Sequence, residues 1–291
     1  MLKLLTWNIQ CARTADGGAD LDLVAGRLAG FADFDLLCLQ EVSSGLPARD
    51  GSPGGEQFAG LARRLPGYRP VFAFALDLPG ADADADAARV PRRLGSMLFT
   101  RHPVLQVLRH TLPSPADPEA ASLPRCALEV TLATPLGPLR LTNVHLEPRS
   151  ARQRLAQVER LRALHAEACA HARLADSIPR PDGGAPFACA ARPASAILLG
   201  SFNMLPVSSA YARLLADFED DTPAWIDAWQ LAEPGRRNPP TFGLHDHAPG
   251  AVPVTFDYAF VSADLASRVR ALRVDGRACG SAHQPLLLEL A

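Results

Sequence analysis

The stretch ILLGSFNMLP, residues 197–206, joins a short apolar run to a turn and two polar side chains. The stretch predicts a buried strand and a tight turn. Ser201 and Asn203 then lie at the end of that strand, where layered α/β proteins place their binding sites. A carboxylate at position 201 would supply half of a hydrolytic site, but the chain has a serine there.

The same arrangement of an apolar run with a polar residue at or near its end recurs along the chain. Such runs are LKLLTWNI (2–9), DLLCLQEV (35–42), VTFDYAFVS (254–262) and a hairpin over 125–148 that turns at Pro135–Pro138. The polar residues on these and the neighbouring segments are Asn8, Glu41, His145, Asn203, Asp257 and His283. Each alone is explained by a cap, a loop or a hydrogen-bonded core histidine. Six together at strand ends indicate an active centre.

The remaining pattern predicts strands alternating with helices in one domain, residues 1–291. Further strands are expected over 68–76, 95–104 and 284–290, and helices over 21–31, 56–65 and 149–174. The low-complexity tract 80–93 and the Pro/Gly/Ala-rich insert 179–195 are expected to form a surface loop and a connection. Strands punctuated by helices favour sheets covered by helices in a layered sandwich.

The composition and net charge of the chain limit the classes of partner and the compartment that can be expected. The chain has 291 residues, 48% of them hydrophobic, a net charge of −2 and a pI near 6.4. This charge does not favour tight binding to nucleic acid or to an anionic membrane. Six cysteines without a C-x-x-C pair favour a reducing compartment, and no signal peptide or membrane-spanning run is evident. The expected location is the cytoplasm, with no membrane partner.

The ordered set of motifs resembles the endonuclease/exonuclease/phosphatase superfamily, with its DNase I-like fold. The matching pieces are LLTWNIQ, LLCLQEV, GSMLFTRHPV, LTNVHLEP, LLGSFN, TFDYAFVS and SAHQPL, in the family's order and over essentially the whole chain. The resemblance implies an α/β four-layer sandwich, with two packed mixed β-sheets flanked by helices. It places the site at one edge of the sandwich.

The resemblance also implies the chemistry, which is phosphoester hydrolysis with Mg²⁺ or Mn²⁺. A hard cation on oxygen ligands neutralises the charge that builds on the phosphoryl group. Glu41 matches the family's metal-ligating glutamate and Asn8 the asparagine beside it. His145 and Asn203 match groups that hydrogen-bond the phosphate. Asp257 and His283 match a carboxylate–imidazole pair in which the aspartate orients the ring.

Two positions depart from the family. Its G-D-F-N motif reads GSFN here, with Ser201, and its S-D-H motif reads SAH, with Ala282. A serine is not a general base at neutral pH without a base of its own, and an alanine has no ligating atom. The expected function is therefore a metal-dependent phosphoester hydrolase with an incomplete centre, weakened metal affinity and reduced activity. The alternative is a non-catalytic phospholigand-binding or interaction module on the same fold.

Candidate accessory groups and partners complete the prediction. Gln10 is the last residue of the first motif, and His245 and His247 in GLHDHAPG form either an H-x-H metal ligand pair or an exposed polar turn. Glu147 lies two residues after His145 and is expected on the same strand face. The expected partner is a phosphorylated small molecule or a phosphodiester. Nucleic acid agrees with the resemblance but is not favoured by the charge.

Overall fold

The computed structural model of the protein describes residues 1–14, 18–47, 55–80, 90–121, 123–174, 192–245 and 252–291. Its strands are β1 (Leu2–Asn8), β2 (Leu36–Ser44), β3 (Arg69–Leu78), β4 (Arg92–Thr100), β5 (Val104–Leu112), β6 (Arg125–Thr134), β7 (Gly137–His145), β8 (Ala196–Ser201), β9 (Trp225–Asp227), β10 (Asp257–Ser262), β11 (Val269–Val274) and β12 (Leu286–Leu290). Its helices are α1 (Leu21–Phe31), α2 (Gln57–Arg64), α3 (Ala151–Leu174), α4 (Ser209–Leu215) and α5 (Ala228–Ala232).

The strands form two six-stranded sheets. The first has the order β11-β12-β1-β2-β4-β3, and the second has the order β5-β6-β7-β8-β10-β9. β1 pairs with β2 in parallel and β7 pairs with β8 in parallel, whereas the other pairings are antiparallel. Both sheets are therefore mixed, as the sequence predicts.

Alternating side chains of each central strand enter two different apolar clusters. In β1, Leu2 and Leu4 belong to the cluster between the sheets, whereas Leu5 and Trp7 pack toward α1 and α2. A strand covered on both faces reads as a nearly continuous apolar run, which explains Leu2, Leu4 and Leu5 on either side of the partly buried Lys3. A third cluster packs α3 and α4 onto the second sheet. Helices, two sheets and helices thus form four layers, which confirms the predicted fold class.

Several elements escaped the sequence prediction. β5, β9, β11, α4 and α5 were not expected. Of the low-complexity tract, residues 81–89 lie outside the described residues, as do residues 179–191 of the insert. None of the described helices is long and apolar enough to cross a membrane.

Candidate active site

The candidate site lies where the two sheets present strand ends at the same edge of the sandwich. Asn8 ends β1 and His145 ends β7, and each of these strands runs parallel to a neighbour in its sheet. Ser201 ends β8 and pairs directly with Asp257 at the start of β10. The carboxyl ends of parallel neighbours meet at one edge, so the topology itself gathers these side chains.

Uncommon backbone conformations occur at the same edge. Glu41 has φ 53°, Asn203 has φ 51° and Gln10 has φ 47°. Glu41 also falls within a register shift between β2 and β4 that lies between Leu39 and Val42. Such a bulge redirects a side chain, and left-handed non-glycine residues concentrate at functional sites. The strained backbone therefore marks the same place as the polar side chains.

A chain of hydrogen bonds crosses from the first sheet to the second. The Asn8 Nδ2 donates to Glu41 Oε1 at 2.9 Å and lies 3.4 Å from Ser201 Oγ. The Asn8 Oδ1 accepts from the Gln10 backbone N–H at 3.0 Å. Ser201 Oγ donates to Asp257 Oδ1 at 2.6 Å and is fully buried. Asn8 is thereby oriented with its amide nitrogen toward Glu41 and its oxygen occupied.

Asp257 is a buried hydrogen-bond acceptor for three side chains. Besides Ser201, it accepts from Thr241 Oγ1 at 2.7 Å and from His283 Nδ1 at 2.8 Å. Burial alone lowers the pKa of His283, but the charge and the hydrogen bond of Asp257, with a smaller contribution from Glu41, outweigh it and raise the pKa. The imidazole is therefore stabilised in its charged form, with Nδ1–H directed at the carboxylate.

His145 has the opposite electrostatic environment. Its Nδ1 lies 3.2 Å from Nη1 of Arg125, and its Nε2 lies 3.6 Å from Oε1 of Glu41. Burial, the Arg125 charge and the His283 charge lower the pKa of His145 well below its ordinary value. The two histidines of the site therefore have pKa values that move in opposite directions, which is typical of groups with different chemical roles.

Most of the predicted site residues come together. Direct polar contacts link Asn8, Glu41, Ser201, Asp257, His283 and His145. Asn203 donates from Nδ2 to the Leu146 carbonyl oxygen at 2.8 Å, directly after His145. Gln10 accepts from the Ala282 backbone N–H at 2.8 Å through Oε1, so the loop of Ala282 is fastened to the first motif.

The accessory candidates in the GLHDHAPG loop do not join this cluster in the part of the chain that is described. His245 is exposed, and its Nε2 lies 2.9 Å from the Gly276 carbonyl oxygen. His247 lies outside the described residues. Glu147 is buried, and it lies beyond the end of β7, where it pairs with Arg125 rather than extending the strand.

Sequence reasoning missed Arg125 and Thr241. Arg125 is the first residue of β6 and Thr241 lies in a loop before β10, so neither stands at the end of an apolar run. For Arg125 the register of the β6–β7 hairpin would have been the signal, and the structure shows Thr134 paired with Gly137 and Ala127 paired with Val144. Counting back from that turn brings Arg125 level with the residues around His145.

The oxygen donors fit a divalent ion only as a one-carboxylate site. Among the described residues no group of three or more His, Cys, Asp or Glu side chains is placed to hold a metal. Glu41, whose side chain is 24% exposed, presents a carboxylate to the site, whereas Asp257 is buried and already accepts from three side chains. Mg²⁺ keeps several waters and needs only one or two carboxylates when a substrate phosphate completes its shell. Glu41 therefore fits such an ion, and positions 201 and 282 add no carboxylate.

Comparisons with known proteins agree with the fold. A model of the Endonuclease/Exonuclease/phosphatase family matches residues 5–278. An endonuclease/exonuclease/phosphatase from Beutenbergia cavernae DSM 12333 is 21% identical with a TM-score of 0.68, covering 100% of this chain and 72% of that chain. The Bacteroides thetaiotaomicron mannosyl-6-phosphatase is 18% identical with a TM-score of 0.66, covering 100% of both chains. A Neisseria 3′ phosphatase bound to product DNA hairpin is 18% identical with a TM-score of 0.59, also covering 100% of both. A comparison with curated proteins finds no match.

Proposed function

Because the chain belongs to the endonuclease/exonuclease/phosphatase family, we propose that its single domain, residues 1–291, is a phosphoester hydrolase of low activity that depends on Mg²⁺ or Mn²⁺. The proposed substrate is a phosphorylated small molecule or a phosphodiester. The observation that carries the proposal is that Glu41, His145 and His283 lie together at one edge of the sandwich. Positions 201 and 282 there carry no carboxylate.

The chain's own groups bind the phosphoryl group in this proposal. His283, charged through Asp257, leaves Nε2 for a phosphoryl oxygen, since Nδ1 is engaged by the carboxylate. Glu41, with Asn8 beside it, would hold the divalent ion, which supplies charge neutralisation when bound. His145 and Asn203 lie beside this position and orient the group.

The proposed low activity follows from the hydrogen bond and the burial of Ser201. Its hydroxyl proton is donated to Asp257 and the side chain is fully buried, so it does not take a proton from an attacking water. Loss of a general base costs about 10²–10⁴ in rate. Water attack forms the new bond to phosphorus and breaks the bond to the ester oxygen. Without a carboxylate at position 201, the water's proton passes to solvent and the leaving oxygen takes a proton from solvent, which is the slower route.

The test restores the two carboxylates separately and together. We would compare the natural chain with Ser201→Asp, Ala282→Asp and the double variant, with Glu41→Gln added to the double variant as the control. The substrates are p-nitrophenyl phosphate, bis(p-nitrophenyl) phosphate, mannose 6-phosphate and a 3′-phosphorylated DNA hairpin. The last two are chosen because structurally similar proteins are a mannosyl-6-phosphatase and a DNA-bound 3′ phosphatase.

The double variant is expected to hydrolyse at least one substrate about 10²-fold faster than the natural chain, as expected for a restored general base. It should also be stabilised more strongly by Mg²⁺ in thermal unfolding, and Glu41→Gln should remove both gains. Equal rates for the natural chain and the double variant would contradict the claim of low activity. Binding of inorganic phosphate without turnover by any variant would favour the alternative, a phospholigand-binding module, which the buried and occupied Ser201 hydroxyl also favours.

A further inference from the structure

The contact between Arg125 and His145 has a definite polarity. A guanidinium group has five N–H donors and no acceptor. Its Nη1 lies 3.2 Å from His145 Nδ1, so that ring nitrogen must accept the hydrogen bond with its lone pair. A proton on Nδ1 would point at an N–H donor. The ring proton is therefore on Nε2, which faces Glu41 Oε1 at 3.6 Å.

Arg125 is itself held in place. Its Nε and Nη2 lie 3.3 Å and 3.1 Å from Oε2 of Glu147, and the two side chains are 8% and 1% exposed. The other carboxylate oxygen of Glu147 accepts from the Arg149 backbone N–H at 2.9 Å, and the Glu147 backbone N–H donates to Gln157 Oε1 at 2.9 Å. A guanidinium fixed by two bonds to a buried carboxylate presents Nη1 in one direction only.

His283 provides the contrast within the same site. Its Nδ1 faces the carboxylate of Asp257, an acceptor, so its Nδ1 carries a proton. The Nδ1 partner of each ring thus determines whether that nitrogen carries a proton, and the two partners are of opposite type. Glu41 Oε1 already accepts a hydrogen bond from Asn8, so it is an acceptor atom. His145 Nε2 faces this acceptor, and a proton on Nε2 therefore gives a donor opposite an acceptor.

We propose that Arg125 is a positioning residue that holds His145 as the Nε2–H tautomer, so that His145 donates a hydrogen bond to a bound phosphoryl oxygen and does not act as a base. The choice of ligand rests on the proposed function. The assignment of the tautomer rests on the contacts of Arg125, Glu147 and Glu41 with His145 and with each other, and not on the proposed function.

The tautomer is measured by long-range ¹H–¹⁵N spectra of ¹⁵N-histidine-labelled full-length protein at one fixed pH. The signal is assigned by its loss in His145→Gln. The natural chain should show a protonated Nε2 and an unprotonated Nδ1 for His145. Arg125→Met alone would leave the buried Glu147 carboxylate without its charged partner, so Arg125→Met/Glu147→Gln removes both charges together. This double variant should show a mixture of tautomers or Nδ1–H, and Arg125→Lys should retain Nε2–H.

Arg152→Met is the matched control, because Arg152 donates to the Ala116 carbonyl oxygen in an exposed contact. It should leave the spectrum of His145 unchanged. Inorganic phosphate should bind the Arg125→Met/Glu147→Gln variant at least about fivefold more weakly than the natural chain, the worth of one hydrogen bond of about 1 kcal/mol.

A protonated Nδ1 of His145 in the natural chain would overturn the proposal. So would an unchanged Nε2–H signal in the Arg125→Met/Glu147→Gln variant, provided that the variant keeps the dispersed spectrum of a folded protein. The expected tautomers without phosphate binding by any variant would support the positioning role of Arg125, overturn the phosphoryl ligand and count against the proposed function. The two proposals therefore fail in distinguishable ways.

Discussion

Replacing Asp257 with asparagine is expected to lower the free energy of unfolding by about 3–5 kcal/mol, because the substitution removes a buried charge and weakens three hydrogen bonds. The carboxylate is 4% exposed and accepts from Ser201, Thr241 and His283 at 2.6, 2.7 and 2.8 Å. Asparagine has nearly the same size, so the substitution removes charge without opening a cavity.

Two routes to the magnitude agree. A hydrogen bond to a charged group is worth about 1.5–3 kcal/mol and a neutral one about 1 kcal/mol, so three bonds lose about 1.5–6 kcal/mol together. Removing one partner of a buried ion pair costs about 3–5 kcal/mol. The ranges overlap at about 3–5 kcal/mol, which lowers the melting temperature of a chain of this size by about 5–8 °C.

The pH dependence of the free energy of unfolding separates the contribution of the Asp257–His283 ion pair from that of the other hydrogen bonds. The pKa of His283 is raised in the folded state, so the folded protein binds the proton more tightly than the unfolded chain. This contribution is fully present below the unfolded value of about 6.5 and is lost as the pH rises through the raised pKa. The coupling energy between Asp257 and His283 should therefore be larger at acid pH than at alkaline pH.

The assay is urea unfolding of the natural chain, Asp257→Asn, His283→Gln and the double variant at pH 5.5 and pH 9, combined as a double-mutant cycle. Asp227→Asn serves as the control, because Asp227 is also buried but has Tyr211 and Asn238 as its side-chain partners. It should show no coupling to His283. A coupling energy that is the same at both pH values would refute a charged His283.

Two further predictions concern the stability of the fold around the site. Each compares the same type of substitution at two positions. Gly200→Ala should cost more than about 4 kcal/mol, because a Cβ there would lie 2.1 Å from the Val144 carbonyl oxygen at φ +133°. Gly26→Ala in α1 meets nothing within 4 Å and should gain about 0.5–1 kcal/mol in urea unfolding. Glu129→Gln should cost about 3–5 kcal/mol, because the carboxylate is 2% exposed and faces two arginines. Glu159→Gln, in an exposed pair, should cost at most about 1 kcal/mol, and equal thermal shifts for the two glutamates would contradict this reasoning.

The strands that the sequence predicted and those it missed differ in their position within the sheets. Central strands are covered on both faces and read as apolar runs, as in β1 and β8. Of the four edge strands, β5, β9 and β11 were missed, and two of these have alternating or partial burial. An edge strand carries polar residues on its exposed face, so its sequence pattern is difficult to distinguish from that of a loop. β3, the fourth, was predicted because VFAFAL is rich in aromatic and β-branched residues.

The same limit explains why the candidate site was predicted as a set of strand ends without Arg125. Ends of apolar runs are visible in a sequence, but the pairing between strands depends on the geometry of the turn. The sequence located the hairpin turn at Pro135–Pro138, and the pairing of Thr134 with Gly137 narrows it to the two residues between them. Only that narrower turn places Arg125 across from the segment between His145 and Glu147. A positioning residue on a neighbouring strand becomes predictable when the register of the two paired strands is known to within one residue. In this protein the register of β6 against β7 places Arg125 beside His145, and the tautomer of His145 depends on that contact.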